Sequence, residues 1–296
     1  MKRTTRFKQL VLAPEILLLP GVQDALTARI AADAGFSAIT CGGYATTATL
    51  LGAPDTSQLG MTEMADHYAR ICDAVDVPVF ADADTGFGNV TNVRRTVRAY
   101  ERAGVAGFFI EDQVYPKRCG HMPGKAVVPV EEMVAKLKAA LDARQDPDLM
   151  IMARTDALAV NGLDDAIERG RLYREIGADM VFVEAPTSVE QMRRICAEID
   201  APCMANNVEG GSTPILPAAE LQAIGYAVSV FPCATTYTIT HAVGRLMRTL
   251  METGSTDAAR DGMLDFDAFN RFIGLPEQRK READLQDFAR SKAGGR

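Results

Sequence analysis

Eight short apolar runs, each followed by a longer segment with helical spacing, restrict the fold of this 296-residue chain more than any other feature. The runs are EILLLPG (15–21), SAITCGG (37–43), PVFADAD (78–84), GFFIEDQ (107–113), LMIMARTDA (149–157), MVFVEAP (180–186), PCMANNV (202–208) and AVSVFPC (227–233). They are near-continuously apolar rather than alternating, as strands buried on both faces are. Between them, segments such as NVRRTVRAYERAG, VEEMVAKLKAALDAR and GLDDAIERGRLYREIGA repeat apolar residues at helical spacing, with glycine or proline near several ends. Eight parallel strands separated by helices predict a closed (β/α)8 barrel of the TIM type, with an open doubly wound sheet as the alternative. The expected barrel spans residues 1–255. Residues 256–296 are more polar and read as a helical extension, either a solvated C-terminal helix or an oligomer contact.

Hydrophobic residues make up 47% of the chain, enough for a sizeable core. A net charge of -7 argues against a phosphate-backbone partner, which needs clustered positive surface, so no nucleic acid is expected. The basic and then apolar start reads as a helix followed by the first strand, because its apolar stretch is too short for a signal peptide. No apolar run approaches the roughly 20 residues that span a bilayer, so no membrane is expected. Six cysteines scattered through a long chain suggest reduced thiols and a cytoplasmic protein.

In such a barrel the site lies at the carboxyl ends of the strands. Here those ends are polar: Asp82 and Asp84, Glu111 and Asp112, Arg154 and Asp156, Glu184, then Asn206 and Asn207. One acid at a strand end commonly caps a helix. Acids at the ends of four consecutive strands are hard to explain by capping alone. Alternation along a strand predicts that Asp82 and Asp84 project to the same side. Converging carboxylates repel one another unless a cation compensates. Mg²⁺ suits Asp82, Asp84 and Glu111 as direct or water-mediated ligands, and Mn²⁺ would suit the same oxygens. With Arg154, the cation would favour a small anionic carboxylate substrate. Sugar hydrolysis is the rival use of paired acids, but the chain has no tryptophan to stack on a sugar.

The loop EDQVYPKRCGHMPGK (111–125) places a thiol among cations. Lys117, Arg118 and His121 would favour the Cys119 thiolate, and Pro and Gly in MPGK would let the segment move as a lid. Cys119 is therefore expected to transfer a proton or act as a nucleophile. The other cysteines read as structural.

DADTGFGN, EDQVYPKRCGH, MARTDALAVNGLDDAIERG and NNVEGGSTP together resemble the isocitrate lyase and phosphoenolpyruvate mutase superfamily, within it the short-chain lyase branch, over nearly the whole chain. The resemblance implies a barrel whose last helix is swapped between subunits of a homotetramer, with Mg²⁺ at its mouth. It implies a metal shell of Asp82, Asp84 and Glu111, and a gating loop bearing Lys117, Cys119 and His121. Arg154, Glu184, Asn206 and Thr213 match substrate positions. Asp55 matches a residue by the reacting centre, and Gly42, Gly43 and Tyr44 a turn whose amides hold a carboxylate. Many relatives have serine or threonine where this chain has Gly42, which removes one hydroxyl contact.

The activity implied is cleavage of the C2–C3 bond of a 2-hydroxy di- or tricarboxylate, of the 2,3-dimethylmalate or 2-methylisocitrate type, to a 2-oxo acid and a carboxylic acid. The alternatives are an oxaloacetate hydrolase or decarboxylase, a carboxyphosphonoenolpyruvate phosphonomutase, and a barrel that binds a metabolite without turning it over.

Overall fold

A computed structural model describes residues 1–120, 122 and 124–293. All eight expected strands are present, each shorter than its apolar run: β1 Leu17–Pro20, β2 Ile39–Cys41, β3 Val79–Asp82, β4 Gly107–Glu111, β5 Met150–Thr155, β6 Met180–Val183, β7 Met204–Asn206 and β8 Val228–Phe231. The helices before and between them are α1 Arg3–Val11, α2 Ala25–Asp33, α3 Gly43–Leu51, α4 Met61–Ala74, α5 Val90–Ala103, α6 Val130–Ala143, α7 Ala157–Asn161, α8 Leu163–Ile176, α9 Val189–Glu198 and α10 Ala218–Ile224. After β8 come α11 Ala234–Thr253, a 3-10 turn at Asp257–Gly262, α12 Phe266–Phe272 and α13 Leu275–Ala293.

Strands β2 to β6 pair in sequence order, and β1 pairs with β8, which pairs with β7, all in parallel. Parallel bridges Gly21–Thr40 and Val181–Cys203 join the two sets, so the ring closes. The open-sheet alternative is thereby excluded. Local chemistry fixes the helix starts: Asp24 accepts from the Thr27 N–H at α2, and Asn89 from the Thr91 and Asn92 N–H groups at α5.

Strand alternation sorts the core into two shells. Phe80, Phe109, Met152, Phe182 and Met204 fill the barrel interior together with Phe7 and Val11 of α1, which plug it; the Phe7 and Phe80 rings stack with centroids 5.4 Å apart. Ala81, Phe108, Ile110, Ile151 and Ala153 point outward and pack beneath the helices.

The chain divides into two compact units, Met1–Tyr237 and Thr238–Arg296. In the second unit no described residue is buried, and Met251, Phe266, Leu285 and Phe288 are each more than half exposed. No helix among the described residues is long and apolar enough to cross a membrane.

Candidate active site

The interior side chains of the strands continue, two residues on, into the site. Asp82 follows Phe80, Glu111 follows Phe109, Arg154 follows Met152, Glu184 follows Phe182 and Asn206 follows Met204, so the period of two carries them all to the barrel mouth. Asp84 lies beyond the end of β3, so strand alternation no longer governs it. Its φ is +46°, a left-handed conformation rare outside glycine, and its N–H donates to Asp82 Oδ1 (2.8 Å). The two acids meet through this turn rather than through a shared strand face. Two buried tyrosines fix the same strand end: Tyr68 (3.0 Å) and Tyr100 (2.8 Å) both donate their hydroxyls to the Asp82 carbonyl.

Two cations organise the carboxylates. Lys117 Nζ contacts Asp55 Oδ2 at 2.6 Å and Asp84 Oδ1 at 3.0 Å. Arg154 contacts Glu111 (3.2 Å), Asp156 (3.0 Å) and Glu184 (3.2 Å). Its guanidinium also stands 5.5 Å from the Phe109 and 5.2 Å from the Phe182 ring centroid, a packing that limits its freedom. Burial opposes both charges, but the surrounding carboxylates outweigh it and hold Lys117 and Arg154 protonated well beyond their usual ranges. Burial raises the Asp84 carboxyl to about 7 although Lys117 opposes it, and pushes Glu111 well above the usual carboxylate range against the pull of Arg154 and Lys117.

This is what a site with surplus negative charge does when only protein cations balance it. Both carboxylate oxygens of Glu111, and Oδ1 of Asp84, are buried without a hydrogen-bond partner; the nearby ammonium and guanidinium pair with them by charge, without hydrogen-bond geometry. Such orphaned oxygens fit a divalent cation. Among the described residues no three His, Cys, Asp or Glu side chains form a preformed cage. Mg²⁺ does not require one, since it binds through one or two carboxylates and keeps several waters.

A cavity of about 240 Å³ opens at this mouth. Asp55, Asp82, Lys117, Cys119, Arg154, Glu184 and Asn206 line it, as do Gly42, Gly43 and Tyr44. Asp84 and Glu111 are reached through Lys117 and Arg154. Asn206 Nδ2 lies 3.4 Å from both Glu184 oxygens.

Several expectations change. The Gly43 N–H donates to Asp82 Oδ2 (2.7 Å), so that amide braces the acid cluster in this structure. A Cβ on Gly43 would stand 3.0 Å from the same oxygen, so a larger residue there would crowd the Asp82 carboxylate. Thr213 is not brought to the cavity, whose wall in this stretch is made by Val208, Glu209, Gly210 and Gly211. Asp112, read as one of the strand-end acids, is instead an anchor: it accepts from Thr155 Oγ1, the Asp156 N–H, Arg169 and the Tyr173 hydroxyl. His121 lies outside the described residues.

Sequence reasoning missed part of the cavity wall. Cys233, read as structural, lines the cavity with Tyr237, whose ring meets that of Tyr44 edge to face at 6.3 Å. Burial pushes the Cys233 thiol up to about 12, so it serves as wall rather than as thiolate. Its place as the final residue of the eighth apolar run was the available signal.

A family model described as phosphoenolpyruvate phosphomutase matches residues 7–252. The chain is 47% identical to a 2,3-dimethylmalate lyase of Eubacterium barkeri, over 95% of this chain and 98% of that one. It is 40% identical to a 2-methylisocitrate lyase of Aeropyrum pernix, over 94% and 89%. Among solved structures, an oxaloacetate acetylhydrolase in complex with 3,3-difluorooxalacetate superposes with a TM-score of 0.91 at 33% identity, covering 96% of this chain and 97% of that one. A 2,3-dimethylmalate lyase superposes equally well, at 35% identity and 96% coverage of both. A phosphonopyruvate hydrolase bound to oxalate and Mg²⁺ reaches 0.87 at 25% identity, covering 96% and 99%.

Proposed function

From the premise that the chain belongs to the phosphoenolpyruvate mutase/isocitrate lyase superfamily, we propose that it is a carbon–carbon lyase acting on an alkyl-substituted 2-hydroxy dicarboxylate of the 2,3-dimethylmalate type. The observation that carries this reading is the charge distribution of the cavity wall. Among the described residues its only cations are Lys117 and Arg154, both already engaged with carboxylates, whereas Tyr44, Tyr237, Val208, Pro232 and Cys233 offer apolar surface. Such a wall suits methyl groups, and among the described residues it holds no uncommitted cation to pair with a third carboxylate. A tricarboxylate such as 2-methylisocitrate is therefore the weaker fit.

Cleavage requires the C2 hydroxyl to lose its proton while charge moves through the breaking C2–C3 bond onto the departing carboxylate. A divalent cation at Asp82, Asp84 and Glu111, Mg²⁺ or Mn²⁺, would lower the pKa of that hydroxyl and favour the 2-oxo acid. Arg154, packed over the Phe109 and Phe182 rings, meets the anionic oxygens and stabilises charge as it develops. Asp55, on the cavity wall beside Lys117, provides a carboxylate to receive the hydroxyl proton. Cys119 Sγ, on the lid above the cavity, delivers a proton to the departing carbon. Cys119→Ser should lower turnover of 2,3-dimethylmalate by about 10²–10⁴-fold while leaving oxalate binding, read by calorimetry, within a few fold of wild type. Undiminished turnover in that variant would remove Cys119 from the reaction.

Oxaloacetate hydrolysis is the second reading, favoured by the similarity to the acetylhydrolase. The exposed apolar side chains of the C-terminal unit support a homotetramer in which they cover a neighbouring subunit, the last helix being exchanged between copies. No disulfide forms among the described residues, which suits a reducing, cytoplasmic setting.

A further inference from the structure

Lys125 closes the loop that carries Cys119, and its side chain is only 3% exposed. Its Nζ pairs with Asp156 Oδ1 at 2.8 Å and donates to the Gly120 carbonyl. Asp156, whose side chain is fully buried, also accepts from Arg154 Nε (3.0 Å) and Nη2 (3.2 Å). One ammonium thus joins the backbone next to Cys119 to the carboxylate that orients Arg154. The loop rests directly on that arginine: a Cβ at Gly120 would lie 2.5 Å from both Arg154 Nη2 and Glu184 Cδ. Lys125 itself does not line the cavity.

We propose that Lys125 is the latch of the lid, a positioning residue that clamps Gly120 to Asp156 and so fixes where Cys119 stands over the substrate. A desolvated ammonium holds its place only while both oxygens face it, and opening the loop returns it to water. The contact is therefore strong in the closed state and reversible when substrate enters or product leaves, as a gating loop requires. Glycine at 120 lets the lid reach the arginine, and the alkyl stem of Lys125 spans the distance that the Gly120 backbone cannot. The inference builds on the reading of Cys119 as proton donor, but its first readout does not depend on it.

That readout is the alkylation rate of Cys119 by iodoacetamide, followed by peptide mass spectrometry on the full-length protein with Mg²⁺ and oxalate present. In Lys125→Met, Cys119 should be labelled severalfold faster than in wild type. Its kcat should fall about 10–100-fold through misplacement of the donor, with a smaller change in KM. Lys125→Arg, which keeps the charge and the reach, should recover part of both. Lys125→Gln reads the same quantities if Lys125→Met does not fold. Labelling as slow as wild type in a folded Met or Gln variant overturns the latch, whether or not kcat has fallen. If instead Cys119→Ser keeps full turnover, the proton-donor reading fails, while the labelling still reports on the latch.

Discussion

His67 illustrates how a single buried group sets a pH limit on this fold. It is buried on α4, and its Nε2 lies 2.9 Å from the Gln23 carbonyl, so the ring donates there. Burial lowers its pKa below the usual value of about 6.5. The unfolded chain then takes up the proton more readily than the folded one, so stability rises with pH across that interval. The contribution is complete above pH of about 6.5 and is lost as pH falls toward the depressed folded value. Urea unfolding at pH 7.5 and pH 5.5 should show lower stability at the acidic pH, with a smaller difference in His67→Gln; an equal difference in that variant would assign the effect to other groups. At the same scale, the charged residues of the mouth were legible in the sequence because they end otherwise apolar runs. The roles within that set were not. Glu111 shares the parity of inward-facing Phe109, whereas Asp112 turns to Arg169 and Tyr173 on α8, partners that become neighbours only when the ring closes. The Lys125–Asp156 pair was hidden for the same reason.

Secondary-structure elements were the most readable level. A strand covered on both faces must be apolar throughout, and that requirement marks all eight. Their ends are less visible, because a run such as PVFADAD continues past the end of β3 at Asp82 into the turn that holds Asp84. The plugging role of α1 was also not apparent, since Phe7 finds Phe80 only in the assembled barrel. The terminal helices pose the opposite case. Phe266 on α12 is 82% exposed, and Leu285 and Phe288 on α13 are each over 60% exposed. Apolar surface of this kind marks an interaction site. Sedimentation equilibrium should give four times the mass of one chain, and Phe266→Glu combined with Phe288→Glu should shift the protein to smaller species. A wild-type protein that sediments as a single chain would contradict this assignment.

For the whole molecule, net charge and fold point the same way once the site is included. A chain of charge -7 binds a small anion only where its own acids are locally outweighed, and the mouth concentrates Lys117 and Arg154 beside carboxylates that a divalent cation would neutralise. The ring of parallel strands makes that concentration possible, since five successive strands deliver their polar ends to one opening. The most direct measurement is incubation with 2,3-dimethylmalate and Mg²⁺, quantifying pyruvate and propionate with and without chelator. Equimolar formation of both acids, abolished by chelation and faster than pyruvate release from 2-methylisocitrate, is the expected result. Consumption of oxaloacetate with no 2-oxo acid released from either hydroxy acid would contradict the lyase assignment and move the protein to the hydrolases.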